Sequence, residues 1–186
     1  MKSMETPVKG SVLLVSLIML LVITVTGLTA VKMATLEEKM SGNYQDQQMA
    51  FFAAEAALKE AEKYIAESSL SLTGFNQACE NGFCFSGVEI NDVGGCVPGN
   101  SEPWEGDAIW SNSSNHRETI VTVSGISASA KYIIEFRCYI AKESEGPLAD
   151  PSDLGDWAMY YRITALATGG SSASRVMLQS SYKKSS

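Results

Sequence analysis

Four cysteines, one histidine and a run of three aspartates are the side chains here with the most chemistry available to them. Cys79, Cys84, Cys96 and Cys138 suit either disulfides or a metal. A structural zinc site calls for Cys-x-x-Cys spacing or a nearby histidine, and the sequence offers neither. An even count, all of it beyond a long apolar segment, favours disulfides made in an oxidising compartment. Of the three possible pairings, the short loop Glu80-Asn81-Gly82-Phe83 favours Cys79–Cys84, with Cys96–Cys138 as its complement. His116, beside Arg117 and Glu118, is the only available imidazole base. No Gly-x-Ser-x-Gly elbow accompanies it, so a surface histidine is the expectation. Asp150, Asp153 and Asp156 share a loop and could offer calcium hard oxygen ligands. Their spacing is not that of an EF-hand, and an ordinary acidic loop turned by Pro151 and Gly155 is the alternative. Trp104 and Trp110 are either a contact surface or the small apolar centre of their own segment. The sequence has no phosphate loop, nucleotide fingerprint or basic aromatic patch. The expectation is a chain with no catalytic residues and no cofactor.

The elements that carry these residues begin with an anchor. From Ser11 to Val31 no residue is charged. In a helix that stretch spans about 32 Å, the thickness of a bilayer's hydrocarbon core. It is too long for the apolar part of a cleaved secretory signal, and Leu28-Thr29-Ala30 fits the small-x-small cleavage rule poorly. Lys2 and Lys9 hold the N-terminus in the cytoplasm and place later residues outside. The net charge is −7; removing Lys2, Lys9 and Glu5 from 14 basic and 21 acidic residues leaves 12 against 20. An acidic exported domain excludes nucleic acid as a partner.

Beyond the anchor, Met33, Leu36, Met40, Tyr44, Gln47, Phe51, Ala54, Leu58, Ala61 and Ile65 recur at steps of three and four, one face of an amphipathic helix over 32–68. Gly42-Asn43 is expected to interrupt it, and Ser68–Gly74 to end it. Residues 75–115 form a loop-rich insert held by disulfides, with a short strand at Val88–Ile90. Thr119–Ser124, Ala130–Ile140, Ala158–Ala167 and Arg175–Tyr182 are the strand candidates. Lys183-Lys184-Ser-Ser is expected to fray. The fold class is α+β: a long N-terminal helix packed on an antiparallel sheet over 119–182, with an exported domain from 69 to 186.

Five stretches carry a family resemblance. A short basic leader, 1–10, ends in Gly10 and runs straight into the apolar helix 11–31. Ala34-Thr-Leu-Glu-Glu-Lys-Met-Ser-Gly-Asn43 and Ala50-Phe-Phe-Ala-Ala-Glu-Ala-Ala-Leu58 come next. Tyr160-Tyr-Arg-Ile-Thr-Ala165 and Val176-Met-Leu-Gln-Ser-Ser-Tyr182 close the chain. Together they resemble PilX-type minor pilins of the type IV pilus. The resemblance implies a pilin-like fold, cleavage of Gly10–Ser11 by a prepilin peptidase, and methylation of the new amino terminus on Ser11. Most pilins carry glutamate as the fifth mature residue; here that place holds Val15, and PilX-type pilins resemble this sequence in lacking the acid. The implied work is to co-assemble with other minor pilins at the inner membrane, prime the fibre, and sit at or near its tip. The major pilin and a PilY-type tip protein are further implied partners. A minor pseudopilin of type II secretion is the nearest alternative; a signal-anchored periplasmic enzyme or binding module is a more distant one.

Overall fold

The computed structural model describes residues 11–87, 96, 99, 102–123, 125–143, 149–150, 153–171 and 173–185. The leader 1–10, with Gly10, and the strand expected at Val88–Ile90 lie outside them. The chain divides into two compact units, Met1–Tyr44 and Gln45–Ser186. Helix α1, Ser11–Glu67, begins in the first and ends in the second.

In the first unit every described residue is exposed. The hydroxyls of Ser16, Thr24, Thr26 and Thr29 fold back onto the helix's own carbonyls at Leu13, Leu21, Val22 and Thr26. Each polar side chain is thereby satisfied within its own segment, as an apolar medium requires. The interruption expected at Gly42-Asn43 does not occur; the helix runs through both. A single glycine costs only about 1 kcal/mol, which the flanking turns outweigh. A Cβ there would meet nothing within 4 Å.

In the second unit the C-terminal part of α1 lies against a five-stranded sheet: β1 (Phe83–Phe85), β2 (Arg117–Val123), β3 (Ile126–Ala141), β4 (Trp157–Thr168) and β5 (Arg175–Ser185). The order is β1-β3-β4-β5, with β2 also on β3. β2, β3, β4 and β5 pair antiparallel. The sheet expected over 119–182 is antiparallel, and β1, from the insert, adds to it in parallel along Ile134–Phe136. It reaches β3 from the insert rather than through a hairpin, so no tight turn imposes antiparallel pairing. The helix face that is buried is almost all alanine: Ala50, Ala53, Ala54, Ala57 and Ala61, then Ile65. Small side chains let the helix axis approach the sheet closely without losing helix propensity. Phe51, expected on that face, is exposed instead. Bulk comes from the sheet and insert, where Phe75, Phe83, Phe136, Tyr139 and Tyr161 meet with ring centroids 5.2 to 6.1 Å apart, within the range of favourable aromatic pairs.

The fraying expected at Lys183-Lys184 is also corrected, since β5 runs to Ser185. Lys184 Nζ donates to the carbonyls of Ile65 and Ser68, each at 2.6 Å. The last turn of α1 has no basic residue of its own, so a lysine from the final strand supplies the positive charge its carbonyl end favours. Lys183 Nζ donates to the carbonyls of Ala141 and Lys142.

One irregularity in β3 decides what its C-terminal half presents to each face of the sheet. The β3–β4 register slips between Phe136 and Cys138. Tyr132, Ile134 and Phe136 point into the helix-side core, and after the slip Tyr139 does so too. Arg137 is the extra residue, and a bulge of one residue reverses the facing of every later position in the strand. Cys138 is thereby turned away from the helix, to the outer face of the sheet.

Candidate functional site

Ser11 is the first residue of α1, and Val15 lies one turn on, 52 % exposed. No acid breaks this end of the helix; Val12, Leu13, Leu14, Leu17 and Ile18 all stand outward. Among the described residues α1 is the one helix long and apolar enough to cross a membrane. Such a segment anchors a chain in lipid, and its outward apolar side chains suit packing against other apolar helices.

The insert is held down at several points. Cys79 is bonded to Cys84 and Cys96 to Cys138. Between the first pair the backbone turns through three left-handed residues, Cys79 at φ 58°, Asn81 at 55° and Gly82 at 79°. Among these only glycine adopts that conformation without steric cost. β1 is also bridged by Asn76, whose N donates to Phe83 O and whose O accepts from Phe85 N. Asp107–Ser111 forms a short helix, α2. Its Ile109 and Trp110 pack with Cys79, Cys84, Ile133 and Leu166, and Trp104 is partly buried against them. The tryptophans are thus part of a second small core on the outer face, and Trp110 Nε1 donates to Trp104 O.

His116, expected at the surface, is instead 4 % exposed. α2 covers it: Nδ1 lies 2.8 Å from the Ile109 carbonyl and Nε2 3.0 Å from Glu118 Oε1. A carbonyl oxygen only accepts, so Nδ1 donates to Ile109, and Nε2 faces the Glu118 carboxylate. The His116 contact, followed by the charge of Lys131, holds the Glu118 carboxyl below its ordinary range. This is a structural tie and not a base beside a nucleophile.

On the outer face beside the bulge, Glu135 is 1 % exposed. It accepts from Arg137 Nη1 at 2.7 Å, Arg162 Nε at 2.8 Å and Ser86 Oγ at 2.5 Å. Arg162 Nη2 also donates to Glu102, and Arg137 Nη1 reaches the same carboxylate at 3.4 Å. The bond from Arg162, aided by the charges of Arg162 and Arg137, keeps the Glu102 carboxyl below its usual range. Glu102 belongs to the insert and Arg162 to β4, so the cluster ties the insert to the sheet. Sequence reasoning singles out none of these four. The available signal is a charged pair, Glu135 and Arg137, inside the otherwise apolar run Tyr132–Ile140.

Cys96–Cys138 closes 42 residues of sequence and Cys79–Cys84 only five. Because loop-closure entropy grows with loop length, the longer crosslink stabilises more, on the order of 2–4 kcal/mol. Cys138→Ser is expected to lower the melting temperature of the detergent-solubilised chain more than Cys84→Ser does. It should also increase protease cutting within 88–101. Equal or reversed melting shifts count against this ranking.

A third fastening joins the β4–β5 turn to α1. Asp46 accepts from Ser171 N at 2.8 Å and Ser171 Oγ at 2.5 Å. A Cβ on Gly169 would collide with the Asp46 carbonyl, so this approach requires glycine. The Ser171 bonds, then one from Ser174, lower the Asp46 pKa from 3.8 to about 2. A depressed carboxyl pKa stabilises the fold above the unfolded value and loses that contribution as pH falls through the folded one. The Ser171 amide resonance is therefore expected to titrate with a midpoint near 2. A midpoint near 3.8 would mean the fastening is not made in solution.

Of the candidate calcium ligands, Asp153 Oδ1 accepts from Gly155 N and Asp156 Oδ2 from Asp150 N, while the Asp150 carbonyl accepts from Trp157 Nε1. These are turn-forming bonds. Among the described residues no group of three or more His, Cys, Asp or Glu side chains is placed to hold a metal ion.

An apolar N-terminal helix, an alanine-faced continuation and a disulfide-held sheet are the parts of a pilin. Residues 9–59 match the family PilX N-terminal, and residues 77–184 match Type IV pilus assembly protein PilX C-term. The chain belongs to the PilX family. No curated protein and no solved structure compared with it matches. Membership makes this PilX-family chain a minor pilin of the type IV pilus, from a family of structural pilins and not of enzymes. The N-terminal match covers the apolar run, and the C-terminal match covers the sheet as far as residue 184, both disulfides and the Glu135 cluster.

Proposed function

We propose that this PilX-family chain primes pilus assembly at the inner membrane with other minor pilins, its C-terminal domain in the periplasm, and then occupies the leading end of the fibre. The major pilin and a PilY-type tip protein are its further partners. A prepilin peptidase cuts after Gly10 and the new terminus on Ser11 is methylated.

The observation that carries this reading is Val15. In a typical pilin the glutamate at the fifth mature place pairs with the methylated amine of the subunit ahead. A carboxylate left unpaired in apolar surroundings costs several kcal/mol or must take up a proton. Val15 has no charge to satisfy, so the subunit requires none ahead of it. The uncharged run from Ser11 to Val31 extends this along the anchor. An epitope placed on the C-terminal domain is expected to label pilus ends. Uniform decoration of the shaft would overturn the placement, and unaltered piliation on deletion of the gene would overturn the priming role.

A further inference from the structure

The outer face of the sheet carries an open cavity of about 380 Å3, whose lining includes Cys96, Arg137, Tyr160, Arg162, Gln179 and Ser181. Its described lining holds two guanidiniums and no carboxylate, on a chain whose net charge is −7. Every polar side chain named here bears a hydrogen-bond donor. Such a lining suits a ligand rich in acceptors, with one negative group and several hydroxyls. The volume falls within the range of small-molecule sites, roughly 300–1,000 Å3.

The guanidiniums are fixed before any ligand arrives. Glu135 and Glu102 hold both of them, and their side chains are 13 % and 19 % exposed. The bonds to these carboxylates leave from Nη1 of Arg137 and from Nε and Nη2 of Arg162, which engages part of each five-donor fork. Gln179 is set by its bond from Nε2 to Thr164 Oγ1 at 3.0 Å. Cys96, bonded to Cys138, lines another part of the wall. Fixed side chains lose little entropy on binding; Nε and Nη2 of Arg137 lie outside those carboxylate bonds and form a planar fork that matches a carboxylate in two places, while Arg162 adds Nη1.

We propose that this cavity binds an acidic monosaccharide, a uronic or a sialic acid. Arg137 and Arg162 take the carboxylate, while Tyr160, Gln179 and Ser181 meet the ring and its hydroxyls. The site lies on the sheet and does not depend on where in the fibre the subunit sits. Because two buried-side carboxylates already balance the two guanidiniums, affinity comes from directed hydrogen bonds and is modest, with Kd on the order of 1 mM.

The test is titration of the full chain in detergent micelles with galacturonate and with N-acetylneuraminate, monitored by amide chemical shifts; galactose and acetate serve as comparisons. One of the acids is expected to bind about tenfold or more tightly than galactose or acetate, and the better one names the sugar class. Ser181→Tyr fills the cavity from an exposed strand position where tyrosine is favoured. It is expected to abolish binding and leave the melting temperature unchanged. Arg162→Lys keeps the charge but loses Nη1, the nitrogen that its carboxylate partners leave open, and should weaken binding about tenfold. Equal binding of galactose and the acids, no shifts with either acid up to about 10 mM, or undiminished binding by Ser181→Tyr would each overturn the proposal. Should Arg162→Lys unfold the domain, the Ser181→Tyr comparison still decides.

Discussion

Glu135→Ala is expected to lower the melting temperature of the detergent-solubilised chain by about 10 °C or more, corresponding to about 3–5 kcal/mol. The carboxylate is 1 % exposed and takes bonds from Arg137, Arg162 and Ser86. Truncation leaves two guanidiniums side by side with only Glu102 to share, and it leaves Ser86 Oγ without its acceptor. The loss comes from the orphaned charges more than from the missing attraction, since a buried ion pair is close to neutral against a well-packed apolar replacement. Two further variants separate these causes. Glu135→Gln keeps the shape and the acceptor oxygen and should cost about half as much. Glu135→Leu combined with Arg137→Met and Arg162→Met removes every charge that needs a buried partner, and should recover most of the stability lost in Glu135→Ala. If the triple variant is no more stable than the single one, the cluster stabilises by direct attraction, and desolvation is not the main cost.

The fold was more legible in the sequence than the cluster was, for a physical reason. The anchor, the amphipathic helix and four strands rest on local periodicity, which survives any tertiary arrangement. The strand ends moved by a few residues: β3 begins at Ile126, and β5 continues through Lys183 and Lys184. β1 is three residues long within a stretch of cysteine, glycine and asparagine, too short to show a period. His116 looks solvent-facing beside Arg117 and Glu118, and only the short helix Asp107–Ser111 buries it. The bulge at Arg137 hid the most. Strict alternation along β3 would send Cys138 into the helix-side core with Phe136. One extra residue sends it outward to Cys96, beside a cluster whose members lie up to 60 positions apart. Periodicity sees neither a bulge nor a contact at that separation.

Gly10→Val is expected to abolish incorporation into pili and leave a membrane precursor heavier by the whole of Met1–Gly10. Two steps lead there. On the proposed topology the uncharged run Ser11–Val31 inserts as a helix, and Lys2 and Lys9 keep the leader on the cytoplasmic side, where the proposed peptidase cuts. A β-branched side chain before the scissile bond is stiff at χ1 and larger than glycine in every rotamer, so a site shaped for glycine excludes it. The uncut chain then carries Lys2, Glu5 and Lys9 ahead of an end that is otherwise entirely uncharged. Packing that end among the apolar helices of a fibre would desolvate those charges at several kcal/mol each, far more than the contacts of one subunit can offset. Gly10→Ala adds a single methyl group and should allow partial processing, so the precursor fraction should rise from wild type to alanine to valine. Mass spectrometry of membrane fractions and of sheared pili measures both the cut and its consequence. A wild-type N-terminus at Met1, or one after Ala30, would refute the cleavage site. Normal piliation by a fully uncut Gly10→Val chain would refute the link between cleavage and assembly.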